Sequence, residues 1–337
     1  MGQSEPATLD VAGVSVQPGM ASRHALDVIE LADGLRVSLP LVLVNGSQPG
    51  PRLYLGAAIH GDEINGLAIL ATLLQRIRPE NLSGSLVCVM VQNPLAFHVD
   101  HRIPIGHYLK SPLDQTPIDP WACFPGNQGG PLAAMLAYRL FSLIMASDYA
   151  IDIHTPTRGG RYVPIAILPP RGLGEPARRA ETLAVAFGSG YLMKTDKGMY
   201  VSDGILSVEA TRAGVPTFTF EIGEGGRLEP DLVEIGTRCV LNALGHLGML
   251  PSSSGQAVTP VRIREFVGLR STRGGVLYTE ASLGAFVKKG DLLARIVSVY
   301  GDEVERFPAP IDGLFVRSTT LSTVASGERV ATIGVLE

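Results

Sequence analysis

The chain has 337 residues, 45% hydrophobic and 18% charged, with a formal net charge of −4; this suits a well-packed globular protein with room for one large domain and a small one. The near-neutral balance and the lack of a basic stripe exclude nucleic acid as an expected partner. Cys88, Cys123 and Cys239 are far apart and form no C-x-x-C pair, so neither a disulfide framework nor a cysteine metal site is expected, and a reducing cytoplasm fits. No apolar run reaches the roughly 18 residues that span a bilayer. The first residues also lack the charged start and apolar core of a secretory signal. The expectation is a soluble protein with no membrane partner; self-association into a homo-oligomer is left open.

Taken in order, residues 1–50 alternate apolar and polar and read as strands closed by a turn at Asn45-Gly-Ser-Gln-Pro-Gly50. Residues 53–59 read as a buried strand and 64–78 as a helix stopped by Pro79. Residues 85–92 are a near-continuous apolar strand, the kind covered by helices on both faces. From 95 to 130 the chain is irregular and rich in Pro, Gly and His; a loop of that length is usually functional. A helix over 131–146, strands at 149–154, 161–170 and 191–195, a helix over 176–187, a strand at 217–223 and a helix over 231–247 complete the α/β part. Pro251-Ser-Ser-Ser-Gly-Gln256 has linker composition and marks a boundary between residues 1–255 and 256–337. Beyond it the pattern alternates between Gly-containing turns, as in a small all-β module.

Four polar residues fall at the carboxyl ends of these strands: His60, Glu63, His154 and Glu221. Open α/β sheets place ligands at such an edge. The pair His60 and Glu63, three apart where a strand gives way to a helix, can aim an imidazole and a carboxylate at one point. That is two-thirds of a catalytic zinc site, which takes three protein ligands and keeps a position for water. The plainer alternative is a turn with a capping carboxylate. Asp152 shares a strand face with His154 and can orient a neighbouring group. Glu221 interrupts an apolar strand, where an unpaired charge is costly.

Together these motifs resemble a known family. His60-Gly-Asp-Glu63, Asn93-Pro94 with Arg102 after it, Phe124-Pro-Gly126, Asp152-Ile-His154 and Phe220-Glu-Ile-Gly-Glu-Gly-Gly-Arg227 stand in the order seen in the succinylglutamate desuccinylase/aspartoacylase family, near its N-acetyl-diaminobutyrate deacetylase branch. The resemblance implies a carboxypeptidase-like mixed sheet with helices on both faces. It implies one zinc ion per chain on His60, Glu63 and His154, with Glu221 as general base and Arg102 facing the developing oxyanion. The implied substrate is a small N-acyl amino acid or related N-acyl amine. One departure stands out. The family's Asn-Arg carboxylate grip before Phe-Pro-Gly is replaced here by Trp121-Ala122, and neither side chain can form a bidentate clamp. Either Arg158 or Arg161 takes over the carboxylate, with Asn93 as a further candidate contact, or the substrate offers an apolar or aromatic group to an exposed Trp121; the plainer alternative is that Trp121 only packs its loop.

His98, His101 and His107 cluster in the long loop, but no carboxylate stands with them, so a second metal is not expected. The C-terminal module resembles a biotinyl/lipoyl-type barrel, yet its hairpin over residues 297–305 has no lysine, which removes a carrier role. Two rivals to a deacylase remain. One is a carboxypeptidase-like amide hydrolase whose substrate lacks the carboxylate; the other is a non-catalytic ligand-binding relative.

Overall fold

Strands that are apolar along their whole length need cover on both faces, and that requirement shapes the large sheet. In this computed structural model, residues 7–104, 119–251 and 259–337 are described. Along the strand Gln48–Ala57, Tyr54 enters the core on one face while Leu53, Leu55 and Ala57 enter the core on the other. The strand Tyr149–His154 divides the same way, with Ala150 on the first face and Ile151 and Ile153 on the second. Helices Leu132–Met145 and Leu206–Arg212 pack Leu136, Leu140 and Leu206 against the first face. Helices Ile64–Arg76, Glu175–Phe187 and Pro230–His246 cover the second with Ile69, Leu73, Leu183, Phe187 and Leu244. The rings of Phe218 and Phe220 meet Phe187 edge-on at 5.2 and 4.7 Å between centroids, an arrangement favoured by the ring quadrupoles.

Pairing direction decides what gathers at the sheet edge. The strand Thr217–Glu224 runs parallel to Tyr149–His154, with Glu221 opposite His154. Tyr149–His154 in turn runs parallel to Gln48–Ala57, with Ile153 opposite Ala57. Three carboxyl ends therefore open at one place. The sheet is mixed, because Gly160–Ile167 pairs antiparallel with Thr217–Glu224 on its other side.

The C-terminal strands do not hang apart from this sheet. Gly160–Ile167, Tyr191–Met193, Val261–Arg270, Arg329–Leu336 and Gly313–Thr319 pair in turn, and the last pairs back to the first. This closes a five-stranded ring with Ile165, Ile167, Met193, Ile263, Leu314 and Val316 packed among its strands. A separate four-stranded sheet carries the lysine-free hairpin between Leu292–Val297 and Glu303–Pro308.

Most expected elements are present within a few residues of their predicted bounds. The turn expected over 45–50 is shorter than expected: the chain is back in a strand at Gln48, because Gly46 and Gly50 lie directly against the backbone of Leu82–Gly84. The helix Leu206–Arg212 and the single turn Met199–Val201 were not anticipated; both are too short to carry a periodic signal. The expected linker at 251–256 lies almost wholly, and His107 entirely, outside the described residues.

Because the ring takes strands from both sides of that linker, the chain is expected to unfold in one cooperative step. Leu314→Ala, which empties a fully buried ring position, should cost about 2–5 kcal/mol and lower that single transition. Two separate calorimetric transitions, with only one of them moved, would contradict the coupling.

Candidate active site

After Gln48–Ala57 the chain passes through Ala58, left-handed at φ 52°, and turns at His60-Gly-Asp-Glu63 into the helix Ile64–Arg76. A Cβ at Gly61 would lie 1.9 Å from the Ala96 carbonyl oxygen, so only glycine allows the turn to press against the next loop. Asn93 holds that loop in place. Its backbone N–H donates to the Ala58 carbonyl at 3.1 Å and its side chain caps the helix Pro94–His98 at Ala96 N, 3.2 Å away. Glu63 stands at the N-cap of the long helix without capping it. Its carboxylate instead lies 2.6 Å from His60 Nδ1 and 3.0 Å from His154 Nδ1, and accepts from Thr155 N at 3.1 Å.

These three side chains are buried, with one donor atom from each within 4.8 Å of the others, the one such group among the described residues. A chain of buried hydrogen bonds fixes His154. Tyr54 donates to Gln92 at 3.0 Å, Gln92 donates to Asp152 at 2.9 Å, and Asp152 holds His154 Nε2 at 2.6 Å. Nδ1 of His154 is thereby left facing the cluster. His60 is held likewise, its Nε2 lying 3.2 Å from Asp119. Burial opposes charge on both imidazoles, yet Asp152 and Glu63 around His154, and Glu63 and Asp119 around His60, raise both above the ordinary histidine range. Burial also works against the Glu63 carboxylate, but the two imidazoles outweigh it and hold its pKa low. The donor set is two imidazoles and a carboxylate in a pocket that calls for positive charge. It fits a divalent cation.

Glu221, level with His154 on the neighbouring strand, is 5% exposed. Its Oε1 accepts from Tyr200 at 2.8 Å, while Oε2 is buried with no partner among the described residues. Burial raises its pKa, against the pull of His154. Arg102 reaches the same space, donating through Nε and Nη2 to Asp119 at 3.2 and 2.9 Å and through Nη1 to Thr157 at 2.9 Å. All of these except Asp119 line one cavity of about 290 Å³.

The other expected contacts divide. Trp121 lines the cavity but is only 4% exposed, packed edge-on against His60, His154 and Tyr200. Of the two readings of Trp121 the packed one holds: the turn Pro120–Ala122 sets it inward against the histidines. Arg158 lines the rim but pairs with Asp100 at 2.5 Å. Arg161 pairs with Glu229 and faces a different cavity. Asn93 is buried in its capping role and does not line the cavity. His98 and His101 are exposed and away from it. No cysteine is poised to react: burial pushes Cys88 and Cys239 up to about 12 and Cys123 to about 11. Sequence reasoning missed Asp119, Tyr200, Arg317 and Arg329. Asp119 lies two residues before the quoted Trp121-Ala122, but the other three carry no local signal.

A mixed sheet covered by helices, with two histidines and a glutamate gathered at its carboxyl edge, defines a carboxypeptidase-like α/β protein. Residues 49–247 match the succinylglutamate desuccinylase/aspartoacylase catalytic domain, and the chain belongs to that family. It is similar to the N-alpha-acetyl-L-2,4-diaminobutyric acid deacetylase of Halomonas elongata, at 26% identity over 346 aligned positions covering 98% of this chain and 96% of that one. Among solved structures it is similar to the product-bound ectoine utilization protein of Ruegeria pomeroyi, with a TM-score of 0.81 and 25% identity over 99% of this chain and 100% of that one. A succinylglutamate desuccinylase from a Silicibacter species gives the same TM-score of 0.81 at 25% identity, covering 100% of both chains. No helix among the described residues is long and apolar enough to cross a membrane.

If the Asp152 hydrogen bond orients His154 for a metal, Asp152→Asn should weaken divalent-cation binding about 10- to 100-fold. Competition with a chromophoric chelator measures this directly, and an unchanged affinity would remove Asp152 from the site's support.

Proposed function

We propose that this protein is a zinc-dependent deacylase that hydrolyses the amide of a small N-acyl amino acid or related N-acyl amine. The observation that carries the reading is the partnerless Oε2 of Glu221, buried in the same cavity as the His60, Glu63 and His154 group. Family membership and likeness to a diaminobutyric acid deacetylase support the substrate class.

His60, Glu63 and His154 would hold one zinc ion per chain, which supplies Lewis acidity at the amide carbonyl and lowers the pKa of water to about 7. Glu221 Oε2 takes the proton of the attacking water as the new C–O bond forms. Burial lifts this carboxyl toward working pH, which suits a general base. The Tyr200 hydroxyl occupies Oε1, so the proton is held at Oε2 and returned there to the amine nitrogen as the C–N bond breaks. The products are a carboxylic acid and a free amine. Arg102, kept rigid by Asp119 and Thr157, faces the charge that grows on the carbonyl oxygen. Trp121 and Tyr200 narrow the cavity against bulk water. A cytoplasmic setting is part of the same proposal, supported by three free cysteines.

The test is amine release from a panel of N-acyl amino acids with the zinc-loaded protein. Removing the metal with a chelator should abolish release and zinc should restore it. Glu221→Gln should lower turnover about 10²- to 10⁴-fold while zinc affinity stays near that of the parent. Full activity in Glu221→Gln would overturn its role. Zinc and ligand binding without turnover in the parent would favour a binding relative instead.

A further inference from the structure

The chain lacks the Asn-Arg grip expected before Phe-Pro-Gly, and neither arginine expected to replace it is free for the task. Arg161 faces elsewhere, paired with Glu229, and Arg158 is exposed at the rim on Asp100. Two other arginines enter the active-site cavity from the C-terminal strands, Arg317 on Gly313–Thr319 and Arg329 at the start of Arg329–Leu336. Among the described residues neither guanidinium has a carboxylate partner, whereas Arg102, Arg158 and Arg161 each do. Arg317 makes one weak side-chain contact, to Thr319 at 3.4 Å.

The placement of Arg317 is built into the sheet. Closure of the five-stranded ring sets Arg317 opposite Tyr162, and Tyr162 stands opposite Gly223, two residues beyond Glu221. Two strand spacings, roughly 10 Å, therefore separate the Arg317 and Gly223 backbones, and Glu221 lies two residues further along that strand. An extended arginine and a substrate a few bonds long fill that gap. Gly160 provides the bed: a Cβ there would lie 2.4 Å from Arg317 Nη2, so a larger residue would push the guanidinium out of its present place. Burial already disfavours the charged form of Arg317, and Arg329 adds repulsion. Glu221 draws on Arg317 from across the cavity, but among the described residues no carboxylate pairs with it, and an anion set between half-buried Arg317 and the more exposed Arg329 would match both.

We infer that Arg317, assisted by Arg329, anchors the carboxylate of an N-acyl amino acid, so that the C-terminal module supplies the substrate grip that the Trp121-Ala122 loop lacks. The inference rests on the deacylase reading for the reaction, but not for the binding. It names the substrate as an acid, rather than an amine carrying an apolar or aromatic group for Trp121.

The test uses a matched pair, N-acetyl-L-2,4-diaminobutyrate and N-acetyl-1,3-diaminopropane, which differ only by the carboxylate. Further N-acetyl amino acids are paired with their decarboxylated amines. The zinc-loaded parent should prefer the acids. In Arg317→Ala the acid-to-amine ratio of kcat/KM should fall about 10- to 100-fold, carried by KM, as expected for loss of a charge-assisted contact. Arg317→Lys should recover part of it. Gly160→Ala, which displaces the guanidinium without removing it, should lower the same ratio. An unchanged ratio, or equal loss for both partners of a pair, would overturn the anchor. Calorimetric binding of the same acids is measured in parallel. Arginine-dependent binding without any turnover would sink the deacylase reading and keep the anchor; turnover with acid binding indifferent to Arg317 would do the reverse.

Discussion

Four carboxylates, Glu63, Asp119, Asp152 and Glu221, converge on two imidazoles in a largely buried volume. Like charges so placed destabilise a fold unless something positive joins them. Arg102 answers part of the demand from its side of Asp119, and protons on His60 and His154 can answer more. A divalent cation would meet the rest, since each imidazole already has its outer nitrogen tied to a carboxylate. The surrounding structure follows from keeping these groups in register. The parallel strands set Glu221 level with His154, and the Tyr54–Gln92–Asp152 chain stops the imidazole from turning.

The C-terminal module has a different physical role. Its strands close a ring with two strands of the α/β part, so they are stitched to the catalytic sheet by backbone hydrogen bonds rather than by a loose interface. A further tie is Glu224, three residues past Glu221, which accepts from Gly159 N at 3.3 Å and Thr320 Oγ1 at 2.5 Å. Ring closure turns an accessory module into one wall of the cavity. On the proposed reading, Arg317 would stand in from about 200 residues away for the contact the Trp121-Ala122 loop does not make, because ring closure holds its strand rigidly.

How much was legible in advance differs by residue. His60 and Glu63 were visible because strand, turn and helix follow one another within a dozen residues, and both change at the same point. Asp152 and His154 were visible because two residues on a strand share a face. Whether Trp121 is exposed or packed stayed open because loop residues carry no periodic pattern, and only its neighbours could show that it folds inward. Tyr200 lay in a stretch with no readable element. Arg317 and Arg329 lie in the alternating C-terminal strands, where nothing local sets them apart.

By itself the sequence determined the α/β character, the order of elements, the two-histidine and one-glutamate set, and the all-β ending. The elements depend on local periodicity, His60 with Glu63 on residues joined through a few bonds, and the addition of His154 on the order of motifs along the chain. Only the tertiary structure decided which cations face the cavity, what holds each imidazole, and that the last strands close a ring with the catalytic sheet. Those outcomes depend on strand pairing between distant segments, where a one-residue slip would send every side chain to the opposite face. No short window of sequence contains that register.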